Sequence, residues 1–185
     1  LDYVVGLFGF SQKVRTQGLQ QQGAAASRFL LSGALASDPS VLNGLTSTND
    51  IRLDNTSAAL YGQLSWKPLP GLALQPGIRV NYDRKTGLYS SVVTNGAGQP
   101  VTFASTDPRI VAQRGVLAPQ RFEPQFSAWN FSWDFTASYE LAPDVRAYAT
   151  YAKSFKTGGI NLNGVPADNA GNPLLAAATV KPERV

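Results

Sequence analysis

The chain has no cysteine, no histidine and no methionine. Without cysteine there is neither a disulfide framework nor a thiolate metal site. Without histidine the usual general base, the usual imidazole metal ligand and any Ser-His-Asp triad are excluded. No run approaches the roughly 18 apolar residues that a membrane-crossing helix requires. That does not exclude crossing by strands, whose apolar residues alternate with polar ones. Clustered charge is also missing. The 16 basic and 12 acidic residues leave a net charge of +4 and are scattered along the chain, so a nucleic-acid partner is not expected.

The chain of 185 residues falls in the size range of one domain. It starts directly on the strand-like Leu1-Asp2-Tyr3-Val4-Val5, without an initiator methionine, and reads as a segment of something larger. Residues Phe29 to Ala36 have the look of a signal-peptide core with an Ala-x-Ala site, but they are internal and short. A loop carrying a brief helix is the expectation there.

What is present is alternation. In 126–141, Trp129, Phe131, Trp133, Phe135, Ala137, Tyr139 and Leu141 hold the odd positions. Ala128, Asn130, Ser132, Asp134, Thr136, Ser138 and Glu140 hold the even ones. A strand throws alternate side chains to opposite faces, so one wall is aromatic and the other polar. Globular strands run to about 5–6 residues, whereas a strand crossing a bilayer needs roughly 9–11.

Five strands and the start of another are expected, over about 1–15, 55–67, 72–84, 126–141, 145–156 and 179–185. Alternation over 1–15 is imperfect, with Val4-Val5 and Leu7-Phe8 apolar on both sides. In 72–84, Leu72, Leu74, Pro76, Ile78, Val80 and Tyr82 oppose Ala73, Gln75, Gly77, Arg79, Asn81 and Asp83. Pro76 lacks a ladder donor, so a bulge or break is expected near it. The stretches 16–53, 84–125 and 157–178 read as long loops; Pro68–Gly71 and Ala142–Asp144 read as short turns.

Long and short connections alternate, which sorts all short turns to one end of an up-and-down sheet. Trp66 and Tyr139 fall at short-turn ends, Tyr82 and Trp129 at long-loop ends, all on the apolar face. This is the layout of two aromatic girdles. The expected fold class is therefore all-β: an antiparallel up-and-down transmembrane β-barrel segment, with short periplasmic turns and long extracellular loops. Trp66, Tyr82, Trp129, Phe131, Trp133, Phe135 and Tyr139 are its lipid-facing residues. A soluble β-sandwich or propeller, with the same face turned to its core, fits any single strand equally well.

The stretch Ala147-Tyr148-Ala149-Thr150-Tyr151-Ala152-Lys153-Ser154-Phe155-Lys156-Thr157-Gly158-Gly159-Ile160-Asn161 resembles the barrel of TonB-dependent outer-membrane receptors. There, a Tyr-x-x-Tyr-x-x-x-Phe-Lys-x-Gly-Gly strand end precedes a loop and a Pro-Glu pair, here Pro182-Glu183. Pro70-Gly71-Leu72 through Gly77–Asp83 is similar to the family's Pro-Gly-x-Arg-x-x-Tyr-Asp strand, and Tyr3–Phe10 to an earlier one. The resemblance touches every strand and none of the loops. It implies a roughly 22-stranded barrel with an N-terminal plug, of which these residues form a mid-to-late part of the wall. It also implies a bacterial outer-membrane location, outer-membrane lipid as neighbour, energy delivered by the TonB complex through the plug, and a small-molecule cargo. Ferric siderophores are that family's commonest cargo.

Candidate ligand-binding residues follow from the polar face. Arg79, Asn81 and Asp83 share it near a long-loop end, and Asn130 and Asp134 share it on the aromatic strand. They are read as meeting a passing ligand or holding a plug. A structural network between strands, including a direct Arg79–Asp134 pair, is the competing reading. Lys156, beside Gly158-Gly159, is a candidate at the rim; those glycines lack the strand–loop–helix setting of a phosphate loop. Asp134 and Glu140, the one carboxylate pair on a strand's polar face, lie about 20 Å apart at roughly 3.3 Å per residue, too far for glycosidase chemistry. Neither an enzyme, a resident cofactor nor a bound metal is expected. The favoured function is active uptake of a scarce solute such as a ferric siderophore; a passive porin and a soluble binding module are the alternatives.

Overall fold

A computed structural model describes residues 1–184. Its main element is one antiparallel sheet built on four long strands: β1 (Asp2–Gln21), β2 (Thr46–Leu69), β3 (Leu72–Thr94) and β5 (Gln125–Ala142). β6 (Val145–Lys153) and the short β4 (Gln120–Phe122) complete it. Spatial order is β1-β2-β3-β5-β6, with β4 paired to β3, so strands sit beside their chain neighbours and the sheet stays open. No helix among the described residues is long and apolar enough to cross a membrane.

The turns follow from local chemistry. Pro70-Gly71 joins β2 to β3, with Gly71 at φ 78°. Pro143-Asp144 joins β5 to β6, with Asp144 at φ 69°. Asp is one of the few side chains that tolerates this left-handed region. Both turns fall at the same end of the sheet, as the loop pattern requires. At Pro76 the ladder towards β2 runs to Gln63–Gly77 and resumes at Trp66–Leu74, while pairing with β5 continues unbroken. A break, rather than a bulge, accommodates the missing donor.

Several strand bounds differ from expectation. β1 continues to Gln21, β2 begins at Thr46 and β3 reaches Thr94, so each loop is shorter than its polar sequence implied. Tyr82 is thus mid-strand, not at a strand end. The physical reason lies in the register. Gly9, Ala58, Tyr82 and Trp129 form one cross-strand row on the apolar face. The next row on that face is Ser11, Thr56, Arg84 and Ser127. Beyond this boundary the face turns polar, and the strand loses the amphipathic signature without losing its hydrogen bonds. The strand expected over 145–156 ends at Lys153. Phe155–Lys156 (β7) pairs instead with Glu183–Arg184 (β10), and Gly159–Ile160 (β8) with Thr179–Val180 (β9). Of the strand expected at 179–185, Val185 lies outside the described residues.

The largest buried apolar cluster lies outside the sheet's apolar face. Val41, Leu42, Leu45, Val93, Val101 and Leu117 form it where the first two loops meet. The expected brief helix is present as α1 (Ala26–Leu30), followed by a 3-10 turn at Gly33–Ser37. The second loop carries α2 (Pro108–Val116), started by Pro108 and by Asp107, whose carboxylate accepts from the Arg109 amide at 2.8 Å. Arg109 reaches across to Asp38 at 2.9 Å and to the Ser40 hydroxyl at 2.5 Å, and Gln113 donates to the Val41 carbonyl at 2.7 Å. Gly44 meets Gly96 backbone to backbone: a Cβ added to Gly44 would lie 2.8 Å from the Gly96 Cα. Asp38 is held below the usual carboxylate range, first by the Ser40 hydroxyl and amide and then by Arg109. Two loops thereby become one small cap with a dry interior.

Candidate functional site

The sheet is inverted relative to a water-soluble wall. On the apolar face Trp129 is 72% exposed, Ile78 57% and Phe131 55%; on the polar face Asn81 and Asp83 are only 7% and 6% exposed. Phe135, Tyr139 and Trp66 are exposed as well. Tyr82 stacks tilted on Trp129 with ring centroids 4.9 Å apart, and Trp133 meets Tyr151 edge-on at 5.3 Å. From the Trp129 row to the Tyr139 row is ten residues, or about 33 Å of strand. At a barrel tilt of about 40° this gives a band roughly 25 Å tall, the height of the apolar belt of outer-membrane barrels.

The polar face carries a hydrogen-bonded network in two parts, Arg79 with Asn81 and Asp83 with Ser57 and Asn130. Arg79 donates from Nε to the Asn81 Oδ1 at 2.6 Å. Its guanidinium lies over the rings of Phe8 at 5.3 Å and Tyr61 at 5.7 Å. This explains the broken alternation of β1: Phe8 faces the polar side because it stacks on a cation. Asp83 accepts from the Ser57 hydroxyl at 2.7 Å and from the Asn130 Nδ2 at 3.5 Å. Four of the six sequence-predicted residues, Arg79, Asn81, Asp83 and Asn130, are therefore gathered on adjacent rows.

Asp134 stands apart from that network. It lies opposite Gly77, with its Oδ1 2.5 Å from where a Gly77 Cβ would be. Among the described residues it makes no ion pair with Arg79, so the direct pair weighed from the sequence is not formed. Gly77 leaves the carboxylate room, and the Arg79 charge is turned towards Asn81 and the two rings. Lys156 is exposed on β7 beside Glu183 and is not brought to the network.

The sequence reading missed Ser57, Tyr61 and Lys85. Lys85 continues the parity of Asp83 and donates to the Gly158 carbonyl at 2.6 Å. That bond draws the third loop over the polar face. Gly158 then packs against Phe126 with no space for a Cβ, and Ile160 and Leu162 crowd Gly87. Phe122, Val165 and Ala178, with Tyr89, form a second small core beneath that loop. Between the two loop clusters lies a hollow of about 380 Å³. Its polar lining includes Ser47, Asn49, Tyr89, Ser91, Gln120 and Asn163, and no charged residue borders it. Ser47 and Ser91 share a hydrogen bond of 2.9 Å within it.

Exposed aromatics on one face, a buried polar network on the other and loops gathered at one end define the wall of a transmembrane β-barrel. Residues 2–185 match the family model of the TonB-dependent receptor-like β-barrel. The chain belongs to that family, whose members lie in the bacterial outer membrane and serve as receptors and transporters. No curated protein and no solved structure matches the chain.

Proposed function

We propose that residues 1–185 form part of one receptor barrel that imports a scarce solute with energy from TonB, and that the solute is a ferric siderophore. The observation that carries this reading is the polar, charge-free hollow beneath folded loops, above a wall whose aromatic face points away from it. Amides, hydroxyls and a phenol suit a chelate whose iron charge is already met by its own oxygen ligands.

On this reading Trp66, Tyr82, Trp129, Phe131, Trp133, Phe135 and Tyr139 face lipid. Arg79, Asn81, Asp83, Asn130 and Asp134 line the lumen, where they hold the plug or guide cargo, and Lys156 stands at the rim. The test is uptake of radiolabelled ferric siderophore by cells carrying the intact receptor, with and without TonB. Uptake lost without TonB is the expected result. Uptake that persists without TonB identifies a passive pore, and recovery of the receptor in the soluble fraction ends the membrane reading altogether.

A further inference from the structure

The two rows just above the aromatic boundary, on the face that carries Trp129, hold two unpaired cations, Arg84 and Lys13. Ser11, Thr56 and Arg84 lie in one register row; Lys13, Asp54 and Thr86 lie in the next. These six, with Gln12, line a hollow of about 280 Å³. Among the described residues neither Lys13 nor Arg84 has an ion-pair partner, and neither donates a side-chain hydrogen bond. Asp54 is the register partner of Lys13 but lies beyond ion-pair distance. Two rows above Arg84, Arg15 and Arg52 continue the positive face, both drawn to Asp50 one row further up. On this part of β1–β3, four cations face two carboxylates.

We propose that this hollow binds the phosphorylated headgroup of an outer-leaflet lipid. Arg84 and Lys13 meet the phosphate, the hydroxyls of Ser11, Thr56 and Thr86 donate to its remaining oxygens, and the two cations outweigh the single carboxylate of Asp54. Three observations converge. The cations are one and two rows from the Tyr82–Trp129 pair, the level at which headgroups begin if that pair marks the interface. They stand on the outward face, where cargo does not pass. Their stems can lie along the apolar band while the charges reach up. A guanidinium offers a planar donor fork to phosphate oxygens, and an ammonium adds a point charge. The assignment rests on the lipid-facing reading of the aromatic band and is independent of the cargo.

The experiment uses the intact receptor in nanodiscs of phosphatidylcholine containing a minor share of phosphatidic acid or, as the phosphate-free control, diacylglycerol. Native mass spectrometry after ejection from the disc counts retained lipid. Retention of phosphatidic acid, with roughly tenfold less in K13Q/R84Q, is expected from two near-surface cations. R84K keeps the charge and retains more lipid than R84Q, which separates binding from folding. Excess inorganic phosphate that strips the lipid would show the hollow to be a free-anion site and overturn the lipid assignment. Equal retention by wild type and K13Q/R84Q, or equal retention of diacylglycerol, overturns the proposal. If the double variant still inserts and still supports uptake, that failure is confined to this site and leaves the receptor reading standing.

Discussion

Leu42 and Leu45 in the loop cap are fully buried, whereas Phe131 and Ile78 in the wall are more than half exposed. The same kinds of side chain are sorted in opposite directions within one chain. Full burial of such a side chain is worth about 1.5–3 kcal/mol, and a whole domain is stable by only about 5–15 kcal/mol. A wall that left five or more of them in water would forfeit most of that margin. The cap needs no such help at its centre, where Val41, Leu42, Leu45, Val93, Val101 and Leu117 bury one another. On the lipid-facing reading proposed above, the difference is that of a chain built for two solvents, with the boundary at the Tyr82–Trp129 row.

Breaking the cap should have the largest effect. Leu42→Ala removes the centre of a dry cluster and is expected to cost the cap about 2–5 kcal/mol. Limited proteolysis of the intact receptor should then show cleavage within 22–45 and 95–119, while the barrel's heat-modifiable mobility on gels stays unchanged. Simultaneous loss of the barrel would mean that cap and wall are one cooperative unit.

Breaking the wall comes next. Phe131→Arg places a charge in the apolar band and is expected to cost about 2–4 kcal/mol in a bilayer. Thr136→Arg, on the polar face, should cost clearly less in the same folding titration into lipid vesicles. Equal costs would erase the two-solvent distinction.

The smallest effect sharpens the boundary. Asp50 lies above it, and its carboxyl is lowered to about 2 by hydrogen bonds from Arg52 and then Arg15. A carboxyl depressed in the folded state adds stability above its ordinary value of 3.8, and that stability is lost as pH falls towards about 2. Hydrogen exchange at the tops of β1 and β2 should therefore accelerate across that window. Asp50→Asn should abolish the step, and exchange in the 129–139 band should not respond.

Much of this was legible in the residues. The five principal strands, both short turns, the brief helix near Phe29 and the grouping of Arg79, Asn81, Asp83 and Asn130 all follow from parity and turn chemistry. The strand extensions 16–21, 46–54 and 85–94 did not, because they are mostly polar on both faces, and the positions that are buried, such as Ser47, Ser91 and Val93, carry no hydrophobic period to read. The Arg79 site was legible in position but not in partners. Phe8 and Tyr61 come from strands far off in sequence, and only the register brings their rings under the guanidinium.

Side-chain alternation by itself determined the sheet, its two faces and the end at which the loops gather, because the pleat converts parity into direction without any long-range contact. Tertiary structure alone decided where the polar loops become a packed cap and which polar-face groups bond to one another. It also decided which cations above the boundary stay unpaired. Those outcomes depend on distances between segments tens of residues apart, which no local pattern encodes.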